Sequence, residues 1–223
     1  MKIHSVFQSI NGEVTASHQG SICTFLRLQG CNMRCVWCDT KDSQRRSKGV
    51  ILTSEEVYRL IKNQPIKTKN ITITGGEPLL QKEELYDLAL ALREDGYEIS
   101  LETNGSLQVP FHIHSLLAST IMDFKPESSG IGCYDAYLHK VSEAVISLGS
   151  NDWVKCPVMN QSDFIKAILF KKTYQKLGYL NHPRFAFSAI APLTSKKLYN
   201  KMIKKKIGDV VLNVQLHKMI GVS

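Results

Sequence analysis

Short runs rich in β-branched and apolar residues alternate along the chain with longer segments whose apolar positions recur every three or four residues. The short runs predict strands at 21–29 (SICTFLRLQ), 70–74 (NITIT), 97–102 (YEISLE), 119–124 (STIMDF), 153–158 (WVKCPV), 184–190 (RFAFSAI) and 209–216 (DVVLNVQL). The longer segments predict helices. TSEEVYRLIKN opens on a Thr or Ser cap and sets Val57, Leu60 and Ile61 on one face, and KEELYDLALALRED does the same with Leu85, Leu88, Ala89 and Leu92. SDFIKAILFKKTYQKLG and SKKLYNKMIKKKIG each stop near a glycine, as helices often do. Strand and helix in alternation is the pattern of βα units around a parallel sheet. The expected fold class is therefore α/β with a parallel sheet, and these strands leave both a partial parallel (β/α) barrel and an open doubly wound sheet standing.

Four strand candidates end in polar or glycine-rich motifs: the CNMRCVWCDT stretch after the first, TGGEP at the second, ETNG at the third and DFKPESSG at the fourth. In a parallel sheet these ends open on one side, where such folds assemble their sites. The length of 223 residues fits a single domain, 1–223, and is short of the roughly 250 residues of a complete eight-fold barrel. No apolar run reaches the roughly 18 residues that cross a bilayer, and the N-terminus lacks the charged start and apolar stretch of a signal peptide. The chain is expected in the cytoplasm, with no membrane partner. The net charge of +8 would attract anionic ligands. Its densest segment, KKLYNKMIKKK, reads as the solvated face of a helix, since repeated aromatic residues for stacking on bases are missing.

In a reducing compartment, six cysteines (Cys23, Cys31, Cys35, Cys38, Cys133 and Cys156) signal metal binding or catalysis more than a disulfide framework. Cys31, Cys35 and Cys38 stand at i, i+4 and i+7, and three readings are open. They could be small hydrophobes on a helix stripe, although polar Asn32 and Arg34 lie between them. They could be zinc ligands, but a closed zinc site wants four, with no histidine nearby and Asp39 an unusual fourth. A zinc-stabilised nucleic-acid-binding module is the matching function of a different class. The third reading is an iron–sulfur cluster, in which three thiolates leave one iron open to a chelating small molecule. That arrangement suits S-adenosylmethionine (SAM), whose sulfonium accepts an electron and splits to give a 5′-deoxyadenosyl radical. Met33, Val36 and Trp37 would limit water there. In TGGEP, Gly75 and Gly76 permit close backbone approach and Glu77 offers an acceptor for an ammonium group. Cys23 and Cys156 fall in strand candidates and are expected in the core.

The Cys-x3-Cys-x2-Cys spacing followed by GGEP resembles the radical SAM superfamily. From about residue 7 to its end the chain resembles the 7-carboxy-7-deazaguanine synthase family, through FQSINGE (7–13), FLRLQGCNMRCVWCDT (25–40), TGGEP (74–78), LETNG (101–105), KPESSG (125–130) and VQLHK (214–218). Glycyl-radical activating enzymes share the triplet and GGEP but not the whole set. The resemblance implies a radical lyase that converts 6-carboxy-5,6,7,8-tetrahydropterin to 7-carboxy-7-deazaguanine with loss of ammonia, on the way to queuosine and related 7-deazapurines. It also implies a [4Fe–4S] cluster on Cys31, Cys35 and Cys38, SAM, Mg²⁺ at Thr40, an external electron donor such as flavodoxin or ferredoxin, a homodimer, and no direct contact with nucleic acid.

Carried over by position, the resemblance gives Ile10, Asn11, Gly12, Thr74, His217 and the terminal carboxylate of Ser223 to the pterin. It gives Arg27 to the substrate carboxylate, which guanidinium geometry suits. Trp37, Cys38, Asp39, Gly76, Glu77, Asp123, Phe124 and Lys125 fall where SAM is held, and Glu102 and Asn104 would reach its ribose or methionyl group. The chain departs from the family pattern at Asn11, where glutamine is usual, at Val14, where glycine is usual, and at DFK, where many members carry SPK.

Overall fold

The computed structural model describes residues 1–15, 19–176 and 182–222. Among them nine strands form one sheet: β1 (Lys2–Ile10), β2 (Ile22–Leu28), β3 (Val50–Ile51), β4 (Asn70–Gly75), β5 (Glu98–Thr103), β6 (Ser119–Asp123), β7 (Trp153–Val158), β8 (Arg184–Ala189) and β9 (Val211–Asn213). Helices α1 (Ser54–Lys62), α2 (Lys82–Glu94), α3 (Phe111–His114), α4 (Tyr134–Ala144), α5 (Gln161–Lys176) and α6 (Ser195–Lys204) connect the strands from β3 onward, and α7 (Leu216–Ile220) follows β9. The strand order is β3-β1-β2-β4-β5-β6-β7-β8-β9. β1 is antiparallel to β2 and β3, and every pair from β2 to β9 is parallel. Each new parallel strand joins beside the last without a reversal, so the sheet is singly wound, as in a partial barrel, and the doubly wound alternative falls.

The sheet stays open between its first and last strands. The chain after β1 spans that opening: Val14 N donates to Asn213 Oδ1 at 2.9 Å, and Leu216 N donates to Gly12 O at 3.0 Å. Alternation along the strands sorts the two faces. Leu26, Leu28, Ile71, Ile73, Ile99 and Leu101 point outward to pack against Val57 and Ile61 of α1 and Leu85, Leu88 and Leu92 of α2. Val154, Cys156, Phe185 and Phe187 do the same against α4, α5 and α6. The intervening residues, Arg27, Thr72, Thr74, Glu102, Asp123 and Lys155, point into the barrel and line a cavity. Below it lies a small apolar plug of Val14, Ile121, Trp153 and Ala186. Val14, a departure from the family pattern, thus fills the floor.

The seven predicted strands and four predicted helices are present, with α5 ending at Lys176 and residues 177 and 178 outside the described set. α1 carries the full capping box expected of its sequence, with Thr53 and Glu56 as the reciprocal pair. Cys23 and Cys156 are buried. Three differences have physical causes. β1 escapes the alternation test because a register shift between Ile3 and Ser5 breaks its periodicity. α4 has no cap signal, since its N-cap is Cys133 in the left-handed region at φ 54° with no side-chain cap bond. The strand expected at 209–216 shortens to three residues, because the Asn213 side chain turns to Val14 and Ser188 and Leu216 opens α7.

Candidate active site

β2 and β4 end side by side, and their closeness shapes the cysteine loop. Gly75 has φ 136°, and a Cβ there would stand 2.2 Å from Leu28 O. A Cβ on Gly76 would stand 2.0 Å from Gly30 O. Only two glycines allow the end of β4 to press on the strand that delivers the first cysteine. Gly76 N and Glu77 N then donate to Leu28 O at 3.1 Å and Gly30 O at 2.9 Å. Glu77 is fully buried, and its carboxylate accepts from Leu79 N (3.0 Å), the Thr103 hydroxyl (2.9 Å) and Asn104 N (2.7 Å). It clamps the end of β5 to the end of β4, and burial pushes its pKa up.

Asn104 carries the clamp to the cysteines. Its side-chain amide donates to Asn32 Oδ1 at 2.9 Å and lies 3.7 Å from Cys31 Sγ, while its own oxygen accepts from Ser106 N at 2.9 Å, forming an Asx turn. An amide aimed at a ligating sulfur steadies negative charge on it. Cys31 and Cys35 are nearly buried, and that burial raises both thiol pKa values. A bound metal cluster would have to displace their protons, which its positive irons do. Val36 N donates to Ser129 O at 2.9 Å, so the loop rests on the KPESSG segment. The Thr40 hydroxyl makes no cap bond to the short turn that follows it and lies 3.7 Å from Cys38 Sγ.

Inside the barrel is a chain of buried charge. Lys155 pairs with Glu13 and, at 3.1 Å, with Asp123, whose other oxygen pairs with Lys125 at 2.5 Å. Gln215 donates to Glu13 at 2.6 Å. Burial alone would lower the pKa of Lys155, but the carboxylates of Asp123, Glu13 and Glu102 outweigh it and hold it well above the ordinary value. Burial would likewise raise that of Asp123, but the two lysines hold it down. Lys125 also stands over the Trp37 ring at 5.2 Å. Glu102 is pushed up to about 7, by burial first and then by the charge of Glu13, with Lys155 opposing. It accepts from the Thr74 hydroxyl at 2.7 Å. Arg27, paired in register with Thr74, stacks on Phe7 at 5.1 Å. Its Nε, Ser9 Oγ and Trp37 Nε1 are buried without a hydrogen-bond partner among the described residues. Such orphaned donors beside a cavity fit a bound polar ligand.

At the mouth, Lys218 of α7 pairs with Asp39 of the cysteine loop at 2.9 Å. The His217 ring lies on the backbone at Gly12, where a Cβ would come within 1.8 Å of Nδ1. Burial keeps the imidazole pKa low. Asn11 is buried and accepts from the Thr72 hydroxyl at 3.1 Å, which turns its shortened side chain toward β4.

One cavity brings together Ile10, Asn11, Gly12, Arg27, Cys31, Cys35, Trp37, Cys38, Asp39, Thr40, Thr74, Gly76, Glu102, Asn104, Asp123, Lys125 and His217. Two of the expected residues do not line the cavity. Glu77 stands behind the wall with its carboxylate taken by three donors. Phe124 is turned outward into the core, stacked on Phe170 at 4.3 Å. Ser223 lies outside the described residues. Lys155, Glu13 and Gln215 line the cavity without having been singled out in the sequence; the available signal was a lone lysine at an inward position of the otherwise apolar strand WVKCPV.

The donor set fits a cluster. Three free thiols on one loop line the cavity. Among the described residues no three His, Cys, Asp or Glu side chains gather round a single ion. A closed structural zinc site takes four ligands on one ion, whereas a cluster takes each of three thiolates on a different iron and leaves the fourth iron open. The helix-stripe reading falls with the loop's irregular backbone.

Residues 26–118 match the family model of the radical SAM superfamily. A 7-carboxy-7-deazaguanine synthase of Clostridium acetobutylicum is 33% identical over 229 residues, covering 98% of this chain and 95% of that protein. The enzymes of the same name from Methanospirillum hungatei and Koribacter versatilis are each 35% identical, over 99% of this chain and 86% and 96% of their own lengths.

Proposed function

The chain belongs to the 7-carboxy-7-deazaguanine synthase family of the radical SAM superfamily, and on that premise we propose that it converts 6-carboxy-5,6,7,8-tetrahydropterin to 7-carboxy-7-deazaguanine and ammonia. When bound, a [4Fe–4S] cluster and SAM supply the one-electron chemistry that starts the ring contraction. Cys31, Cys35 and Cys38 would hold three of its irons. The Asn104 amide steadies the Cys31 sulfur, and the cation of Lys125 adds positive charge beside Cys35. Trp37 and Met33 keep water from the loop's inner face.

Arg27 takes the substrate carboxylate. Its guanidinium is held flat by Phe7, and its buried Nε lacks a partner within the described chain, so a two-point contact satisfies it. The backbone of Ile10, Asn11 and Gly12 with His217 orients the pterin, and Thr74 holds its hydroxyl between substrate and Glu102. Glu102, with its pKa near neutral, exchanges a proton at its carboxyl oxygen as the ring sheds ammonia. Thr40 with water fits an Mg²⁺ beside the substrate carboxylate, as oxygen ligands suit that ion. A homodimer and a cytoplasmic setting with an external reductant complete the reading, consistent with six free thiols and with no described helix long and apolar enough to cross a membrane.

The observation that carries this reading is the cavity shared by three thiols and by Arg27, whose buried Nε has no hydrogen-bond partner among the described residues. Anaerobic incubation of cluster-loaded protein with the carboxytetrahydropterin, SAM, dithionite and Mg²⁺ should yield 7-carboxy-7-deazaguanine and ammonia in equal amounts while SAM is not consumed. Loaded protein that yields neither would refute it.

A further inference from the structure

We infer that the electron donor is an acidic one-electron carrier protein that docks on the basic face of residues 41–48, its carboxylates entering a cleft between Lys2 and Arg46. The inference rests on the radical SAM reading and adds the donor's docking surface to it. KDSQRRSK follows the cysteine triplet directly after Thr40 and sets Lys41, Arg45, Arg46 and Lys48 against one carboxylate, Asp42. Lys48 pairs with Asp42 at 3.3 Å, and all four cations are exposed.

The segment is pinned to the strand end that delivers the first cysteine. Gly30 N donates to Ser43 O at 2.7 Å, and Cys31 N to Gln44 O at 3.2 Å. The Gln29 amide donates to the carbonyls of Asp42 at 2.7 Å and Arg45 at 2.6 Å. Lys2 Nζ donates to the Arg46 carbonyl from the other side. Beside these contacts a cleft is lined by Lys2, Gln29, Gly30, Arg46, Leu80 and Gln81, so it reaches the peptide next to Cys31. An electron delivered in the cleft has the Gly30–Cys31 peptide and one sulfur to cross, while the opposite side of the loop faces the substrate cavity.

Two cations at the cleft and three more along its approach complement a carboxylate-rich surface, and such attraction speeds encounter and weakens with salt. In the exchange a flavin hydroquinone on the carrier loses one electron and becomes the semiquinone. The cluster held by the three cysteines gains that electron, passing from the 2+ to the 1+ level, and no bond forms or breaks. Lysines of α6, Lys196 and Lys197 among them, form a separate basic face on the helix packed against β8 and provide the control.

The probe is an acidic flavodoxin, with dithionite as a reductant that needs no docking. In the R45E/R46E variant, the Kd for oxidised flavodoxin, read from flavin fluorescence, should rise at least about tenfold. The flavodoxin-driven rate should fall with it, while iron content and the dithionite-driven rate hold. K196E/K197E should change none of these. The wild-type Kd should also weaken steeply with sodium chloride. An unchanged Kd in R45E/R46E, an equal loss in the α6 control, or a salt-indifferent wild-type Kd would overturn the inference. So would loss of transfer RNA binding in R45E/R46E with flavodoxin binding intact, which would give the face to nucleic acid. Wild-type protein inert with dithionite would strike the proposed function instead, and the Kd arm still decides the docking face.

Discussion

Arg27 shows what one inward side chain does when the sheet curls around it. Its strand position pairs it with Thr74, Phe7 supports its plane, and its buried Nε has no hydrogen-bond partner among the described residues. A charge-assisted contact of this kind is worth about 1.5–3 kcal/mol, so Arg27→Ala should raise KM for the carboxypterin roughly tenfold to a hundredfold. Iron content should stay the same; steady-state kinetics beside an iron assay checks both. The inward position of Arg27 was legible in the sequence from strand alternation, while the role expected of it came from the family resemblance alone. The bonds that Glu77 makes within the protein were not legible. Its three donors come from residues 79, 103 and 104, and the convergence of two strand ends cannot be seen along one dimension. Lys155 was missed for the same reason, since its partners Glu13 and Asp123 lie 142 and 32 positions away in the chain.

Among the elements, the junction of β2 with β4 decides whether the cysteine loop forms. Gly76→Ala drives a methyl into the Gly30 carbonyl, backbone against backbone, so the loop must shift. Reconstituted iron should drop to a small fraction of wild type while far-ultraviolet circular dichroism stays α/β in character; full iron loading would contradict the account. At the other end of the sheet, Asp152 accepts from Thr120 N at 2.6 Å and Gly149 N at 2.7 Å and pairs with His114 at 2.8 Å. This pair holds α3 to the start of β6 and β7. The Asp152 hydrogen bond raises the pKa of His114 above 6.5 against the opposing effect of burial. The protonated pair therefore stabilises the fold fully below about pH 6.5, and that contribution is lost as pH rises through the higher folded-state value. His114→Gln should flatten this part of the stability profile, read by urea unfolding across pH, with activity unchanged at its optimum. Most helices and strands were legible from periodicity and caps. β1 and α4 were not, because a bulge hides one and a left-handed cysteine cap replaces the usual signal in the other.

Across the whole molecule, the barrel interior carries charge where a purely structural protein would place hydrocarbon. Glu13, Glu102, Asp123, Lys125 and Lys155 cluster above an apolar plug of four residues. Glu102 binds its proton more tightly folded, at about 7, than unfolded, at the ordinary glutamate value of 4.5. The native state thus loses stability as pH rises through that window. Glu102→Gln should raise the unfolding free energy of the metal-free protein more at pH 8 than at pH 4.5, by up to about 3 kcal/mol, read by urea unfolding at each pH. No difference between the two pH values would contradict the placement of that carboxyl. The sequence foretold the parallel α/β architecture and the side on which the site opens. It did not foretell the bridge from residues 12–14 to 213–216, because contacts that span an open sheet leave no periodic trace.

The central claim is that three thiolates at the rim of this cavity hold a cluster with one iron free for SAM. Electron paramagnetic resonance of anaerobically reconstituted, dithionite-reduced protein, before and after SAM is added, tests it most directly. The account predicts about four irons per chain and a signal whose g values shift when SAM binds. Protein that takes up zinc and no iron, or a cluster signal indifferent to SAM, would contradict it.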